Sequence, residues 1–229
     1  TYLHAVNTSV LSMYFSSKLG FSKGDGIEIG IAALFHDIGK MYIGKEAKSS
    51  PEGSQKYDDD LSQRHTQLGA EMLLNYVGSI GVLPVVVAFE HHMGFDKQGG
   101  KFPSERYTPH PASLIVSICD VYDAYSVRRN YKYDYPPNLI YDIMMKQKGG
   151  FFDPGLLDSF FRIIGVWPIG TLVALSDGRV AVVRKENENE IFCPLVEAIS
   201  PVDKRELIDL RECKTSLAIE RALNPFAEG

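Results

Sequence analysis

The chain has 229 residues, 45% of them apolar and 23% charged, with a formal net charge of −5 and three cysteines. That length suits one domain with an appendage or two small ones, and the globular composition excludes a disordered or fibrous chain. No run approaches the roughly 18 consecutive apolar residues of a membrane span, and the acidic balance argues against DNA binding. Cys119, Cys193 and Cys213 lack CxxC spacing, which disfavours a disulfide framework or a thiolate zinc site and points to a reducing, cytoplasmic compartment.

The sequence opens at Thr1 inside a helical pattern, with Leu3, Val6, Val10, Met13 and Phe15 at roughly helical spacing. No basic or apolar leader region precedes them, so the chain reads as a fragment that has lost something upstream. After turn signals at 22–26, residues 27–35 form an apolar stretch that stops at Gly39. Residues 44–60, with Pro51, Gly53 and the Asp58-Asp59-Asp60 run, read as a solvated polar loop. A helix is expected over 62–77, with Leu68, Met72 and Val77 inward. Pro84 suits the first turn of the next helix, which carries Val85, Val86 and Phe89 to His91. Residues 93–111 are a long Gly- and Pro-rich connection, a kind of segment that tends to carry function. Helices are expected again over 112–127, 138–145 and 154–164. The pattern then turns β-rich: 170–183 reads as a hairpin around Ser176-Asp177-Gly178, and 191–199 as a third strand. The expected class is therefore mainly α, a helical bundle over 1–164 with a small C-terminal β-rich module over 165–229.

The polar residues that this pattern buries are His4, His36, Asp37, His65, His91, His92 and Asp120. A lone histidine on an apolar helix is ordinarily a hydrogen-bonded core residue. Five histidines and two aspartates at helix ends and in apolar runs are different, because buried polarity costs free energy unless paired or metal-bound. Imidazole with carboxylate suits iron, manganese or zinc, and the lack of thiolate argues against a structural zinc site. His91 and His92 are adjacent, and successive helical side chains diverge by about 100°. They are therefore expected to face different ions, or one ion and one substrate phosphate.

His36-Asp37-Ile38-Gly39-Lys40 resembles the signature of the HD-superfamily metal phosphohydrolases. The ordered series His4, HDIGK, His65, His91-His92 and Asp120 resembles the HD-GYP branch over residues 1–164. The resemblance implies an HD-domain helical bundle that binds two or three divalent ions, iron or manganese favoured, and hydrolyses a cyclic dinucleotide, chiefly cyclic di-GMP. It makes His4, His36, Asp37, His65, His91, His92 and Asp120 the metal ligands, with Asp37 bridging. It makes Lys40, Arg129 and Lys132 the phosphate contacts, with Asp37 and Lys40 serving catalysis. Two such cations would lower the pKa of a bridging water and clamp the phosphoryl oxygens for in-line displacement. The three basic groups would neutralise the charge that builds there. Asp123, one turn beyond Asp120, is placed to orient a ligand.

The resemblance is imperfect in the segment after the histidine pair. The family pattern HHExxDGxGYP meets His91-His92-Met93-Gly94-Phe95-Asp96 and then Phe102-Pro103, so methionine stands for the glutamate and phenylalanine for the tyrosine. A third-metal glutamate of some members would lie upstream of Thr1, which leaves two ions against three open. Two other functions follow from the same residues: a degenerate nucleotide- or partner-binding module, and an HD phosphohydrolase for another phosphoester. An upstream sensor or receiver domain and a homodimer complete the expectations.

Overall fold

A computed structural model of the chain describes residues 2–42, 55–96, 107–126, 135–200 and 205–223. By packing the chain divides into two units, Thr1–Val127 with Gln147–Leu156, and Arg128–Lys146 with Leu157–Gly229. Helices dominate the first, and the second carries a small antiparallel sheet.

The first unit contains α1 (Tyr2–Lys18), α2 (Lys23–Phe35), α3 (Gln55–Leu74), α4 (Val77–Ile80), α5 (Leu83–Glu90) and α6 (Pro111–Ser126). Gly20 turns the chain at a φ of 89°, a conformation cheap only for glycine. Ser22 and Asp25 then start α2 with a reciprocal capping box. Helix α1 lies against α2 and α6, while α5 meets α2, α3 and α6. The inward side of α1 is its small, polar one: His4, Thr8, Ser9, Ser12, Phe15 and Ser16 are buried. Leu3, Val6 and Val10, whose spacing marked the helix, are exposed. Close approach to α2 explains this inversion. The Ser9 hydroxyl donates to the Gly30 carbonyl at 2.7 Å, and a Cβ on Gly30 would fall 2.4 Å from Met13 Cγ. Helix α6 is buried continuously from Ala112 to Asp120, as a central helix must be.

The second unit holds α7 (Pro137–Met145), most of α8 (Pro154–Ile164) and strands β1 (Leu172–Leu175), β2 (Val180–Lys185), β3 (Leu195–Ala198), β4 (Glu206–Asp209) and β5 (Ile219–Ala222). The sheet order is β4-β3-β2-β1-β5. The β1–β2 hairpin pairs Leu172 with Val182 and Ala174 with Val180, turning through Gly178 at a φ of 86°. Alternation puts Val173, Leu175, Ala181, Val183, Val196 and Ala198 on one buried face with Trp167. Tyr141 of α7 packs against this core and stacks edge-on with Phe161 and Phe192, which is why α7 and most of α8 group with the sheet.

Two local expectations change. Helix α3 begins at Gln55, inside the span read as polar loop, because a run of charged residues does not by itself exclude a helix. Residues 191–194 are not strand, while β4 and β5 were not foreseen. Both are four residues long, with too few inward positions to show an alternation. Among the described residues no helix is long and apolar enough to cross a membrane.

Candidate metal centre

Five segments of the first unit converge on one point. Helix α1 supplies His4, the turn after α2 supplies His36 and Asp37, α3 supplies His65, the end of α5 supplies His91 and His92, and α6 supplies Asp120 and Asp123. His36, His65 and His91 are fully buried, whereas His92, expected to be buried with them, is exposed. Asp37 lies at the middle: its Oδ2 is 3.4 Å from His36 Nε2, and its Oδ1 is 3.3 Å from His65 Nε2 and 3.7 Å from His91 Nε2. Asp120 Oδ1 lies 2.8 Å from His4 Nε2 and 3.5 Å from His36 Nε2.

The backbone and Asp123 decide which nitrogen of each ring points inward. His36 Nδ1 donates to the Ala33 carbonyl at 2.7 Å, and His91 Nδ1 to the Ala88 carbonyl at 3.0 Å. His4 Nδ1 donates to Asp123 Oδ2 at 2.6 Å. In all three rings Nδ1 is thereby occupied, and Nε2 is presented to the cluster.

Among the described residues, three donor groups are close enough to hold an ion: Asp37, His65, His91 and His92; His4, His36 and Asp37; and His36, His91 and Asp120. Asp37 belongs to two of them. His36 Nε2 and Asp37 Oδ1 are buried without a hydrogen-bond partner, which is costly unless something else satisfies them. Burial opposes charge on His36, yet Asp120 and Asp37 outweigh it and push its pKa up to about 10. Burial likewise opposes ionisation of Asp37, but His36, His65 and His91 hold its carboxyl well below the usual range. Such a site draws positive charge to its centre. The donors are nitrogen and oxygen without sulfur, so divalent first-row metals fit.

The adjacent histidines do not diverge as helix geometry suggested. Helix α5 ends at Glu90 with His91 as its C-cap, so His92 has left the helix and its ring centroid is 4.1 Å from that of His91. Both fall in one donor group with Asp37 and His65. Lys40 lies on the Asp37 side as expected, its Nζ 2.5 Å from Asp37 Oδ2 and its side chain 41% exposed. Met93 is buried, at 7% exposure. Arg129, Lys132, Phe102 and Pro103 lie outside the described residues.

Sequence reasoning passed over Glu90, which is 3% exposed beside the histidine pair. It accepts hydrogen bonds from the Tyr107 hydroxyl, the His110 backbone N–H and the Ser113 hydroxyl. Its signal was available: a carboxylate closing the apolar run 82–89 needs an explanation.

The comparisons agree with the HD-GYP resemblance. The HD domain model matches residues 1–125. The cyclic di-GMP phosphodiesterase PA4108 of Pseudomonas aeruginosa is 32% identical over 86% of this chain and 47% of its own length. A cyclic di-GMP phosphodiesterase of Thermotoga maritima is 28% identical over 71% of this chain and 44% of its own. The chain thus spans about half the length of these curated relatives. Among solved structures, Bd1817, an HDG"Y"P protein from Bdellovibrio bacteriovorus, superposes with a TM-score of 0.55 at 19% identity, covering 69% of this chain and 50% of that one. That similarity supports the fold. With the family model covering more than half of the residues, the chain belongs to the HD domain family.

Proposed function

We propose that the chain is a metal-dependent phosphodiesterase that hydrolyses a cyclic dinucleotide, with cyclic di-GMP as the substrate, as its named relatives do. The observation that carries the reading is Asp37, whose two oxygens face different histidines and which belongs to two potential metal groups. That geometry supports two or three divalent ions, iron or manganese, which His4, His36, Asp37, His65, His91, His92 and Asp120 would hold, with Asp37 common to two of the donor groups. When bound, the cations supply Lewis acidity toward phosphoryl oxygens and an activated water at neutral pH.

The remaining work belongs to side chains. Asp123 fixes the His4 tautomer through Nδ1. Lys40, ion-paired with Asp37 yet partly exposed, can move its ammonium to a phosphate oxygen, where it neutralises developing charge. Arg129 and Lys132 are assigned to the substrate phosphates on the family pattern alone. We take 1–164 as the catalytic region and 165–229 as an accessory module. The protein would act in the cytoplasm under an upstream sensor or receiver domain, as a homodimer.

The test is metal analysis of anoxically purified protein, followed by incubation with cyclic di-GMP, cyclic GMP-AMP and a bis-aryl phosphodiester. Hydrolysis of cyclic di-GMP by protein holding two or more ions per chain is expected. Tight nucleotide binding without turnover, with iron or manganese supplied, would replace this reading with that of a binding module. The replacement of the motif glutamate by Met93 makes that second outcome worth measuring.

A further inference from the structure

We propose that Glu90 is a positioning residue for the metal centre, holding the first turn of α6 against the end of α5 and so setting where Asp120 meets the histidines. The inference rests on the metal-site reading above.

A carboxylate that is 3% exposed must be hydrogen-bonded to be tolerated, and Glu90 divides its two oxygens between different tasks. Oε2 accepts from the His110 backbone N–H at 2.7 Å and the Ser113 hydroxyl at 2.6 Å. These donors lie at the start of α6, whose first backbone N–H groups need acceptors from outside the helix. Oε1 takes the Tyr107 hydroxyl. With two donors from the start of α6 on one oxygen, Oε2 joins the two helices.

What the junction connects is specific. Glu90 is the last residue of α5 and is bonded covalently to His91. Ser113 is buried and precedes Asp120 by seven residues, about two helical turns on the same side of α6. Between these points α6 is buried and regular, so a displacement at Ser113 carries to Asp120. There the contacts at stake are 2.8 Å to His4 Nε2 and 3.5 Å to His36 Nε2. Metal affinity falls steeply when supports of this kind are lost, because donor atoms must converge within tenths of an ångström.

The experiment titrates Mn2+ into the anoxic, metal-free full chain and records the electron paramagnetic resonance spectrum of the bound ion. Glu90→Ala is expected to weaken affinity about 10- to 100-fold and to alter the spectrum. Ser113→Ala, which removes one of the two Oε2 bonds, should have a smaller effect in the same direction. Glu90→Gln keeps an oxygen for His110 and Ser113 and should restore affinity to within about threefold and recover the native spectrum. Tyr107→Phe, which removes the Oε1 contact and keeps both Oε2 bonds, should leave both nearly unchanged. A merely structural Glu90 would lower the melting temperature of Glu90→Ala without moving affinity or spectrum at 25 °C, and that result overturns the proposal. If Glu90→Ala does not fold, Ser113→Ala decides, and wild-type affinity there overturns it equally. Wild-type protein that binds Mn2+ but leaves cyclic di-GMP intact refutes the phosphodiesterase reading while the affinity comparison still tests Glu90. Wild-type protein that binds no Mn2+ overturns both.

Discussion

Asp37 faces His36 and Lys40 with one oxygen and His65 and His91 with the other. Removing it leaves three buried imidazoles around a gap, with Asp120 as the nearest carboxylate to His36. Asp37→Ala is therefore expected to abolish metal retention, read by elemental analysis, and to cost more than about 100-fold in hydrolysis, beyond what loss of a supporting residue costs. Retained metal would refute the shared role. Asp123 acts one step away, because its 2.6 Å bond to Nδ1 fixes the His4 ring without reaching the centre. Asp123→Ala should weaken metal affinity about 10- to 100-fold. Asp123→Asn should do less, since its amide oxygen still accepts from Nδ1. Equal, wild-type affinity in both variants would show that His4 needs no such hold.

Between elements, Gly39 governs how closely the turn after α2 approaches α3. A Cβ there would lie 2.0 Å from the His65 carbonyl oxygen and 2.6 Å from the Gly69 nitrogen. Both are backbone atoms, which cannot swing aside. Gly39→Ala should therefore destabilise the fold by about 1–3 kcal/mol, the usual range for overpacking, and displace His65 from Asp37. A lowered denaturation midpoint together with weaker metal binding is the expected result; an unchanged midpoint would contradict it. This glycine shows what a sequence can and cannot reveal. Its place in HDIGK was legible, but the reason, a backbone contact with a helix some 30 positions away, exists only after folding. The ligand residues were legible because polar side chains at helix ends and in apolar runs break the pattern that surrounds them. The convergence of His91 and His92 was not, since it depends on α5 stopping at Glu90, and helix ends are the least legible feature of a sequence. The apolar row Leu3, Val6 and Val10 marked α1 correctly as a helix but forms its exposed side, because close packing against Gly26 and Gly30 selects small residues on the inward one.

At the scale of the whole molecule, the three cysteines report on the two units separately. Cys119 is fully buried in the first unit, and burial pushes its thiol up to about 12. It should therefore react with an alkylating reagent only when that unit opens, through a thiol of ordinary pKa near 8.5, so that its labelling rate levels off above about pH 9 rather than climbing toward pH 12. Cys193 and Cys213 are partly exposed in the second unit and should label without global opening. A metal that binds only the folded first unit lowers its open population in proportion to occupancy, about 100-fold when free metal is 100 times its dissociation constant. Added Mn2+ should accordingly slow labelling of Cys119 by about 100-fold and leave Cys193 and Cys213 unchanged, each followed by mass spectrometry of the modified peptides. Slowing of all three by the same factor would mean that the metal stabilises both units as one. No slowing at Cys119, at saturating metal, would mean that the ion is not held by the folded cluster around Asp37.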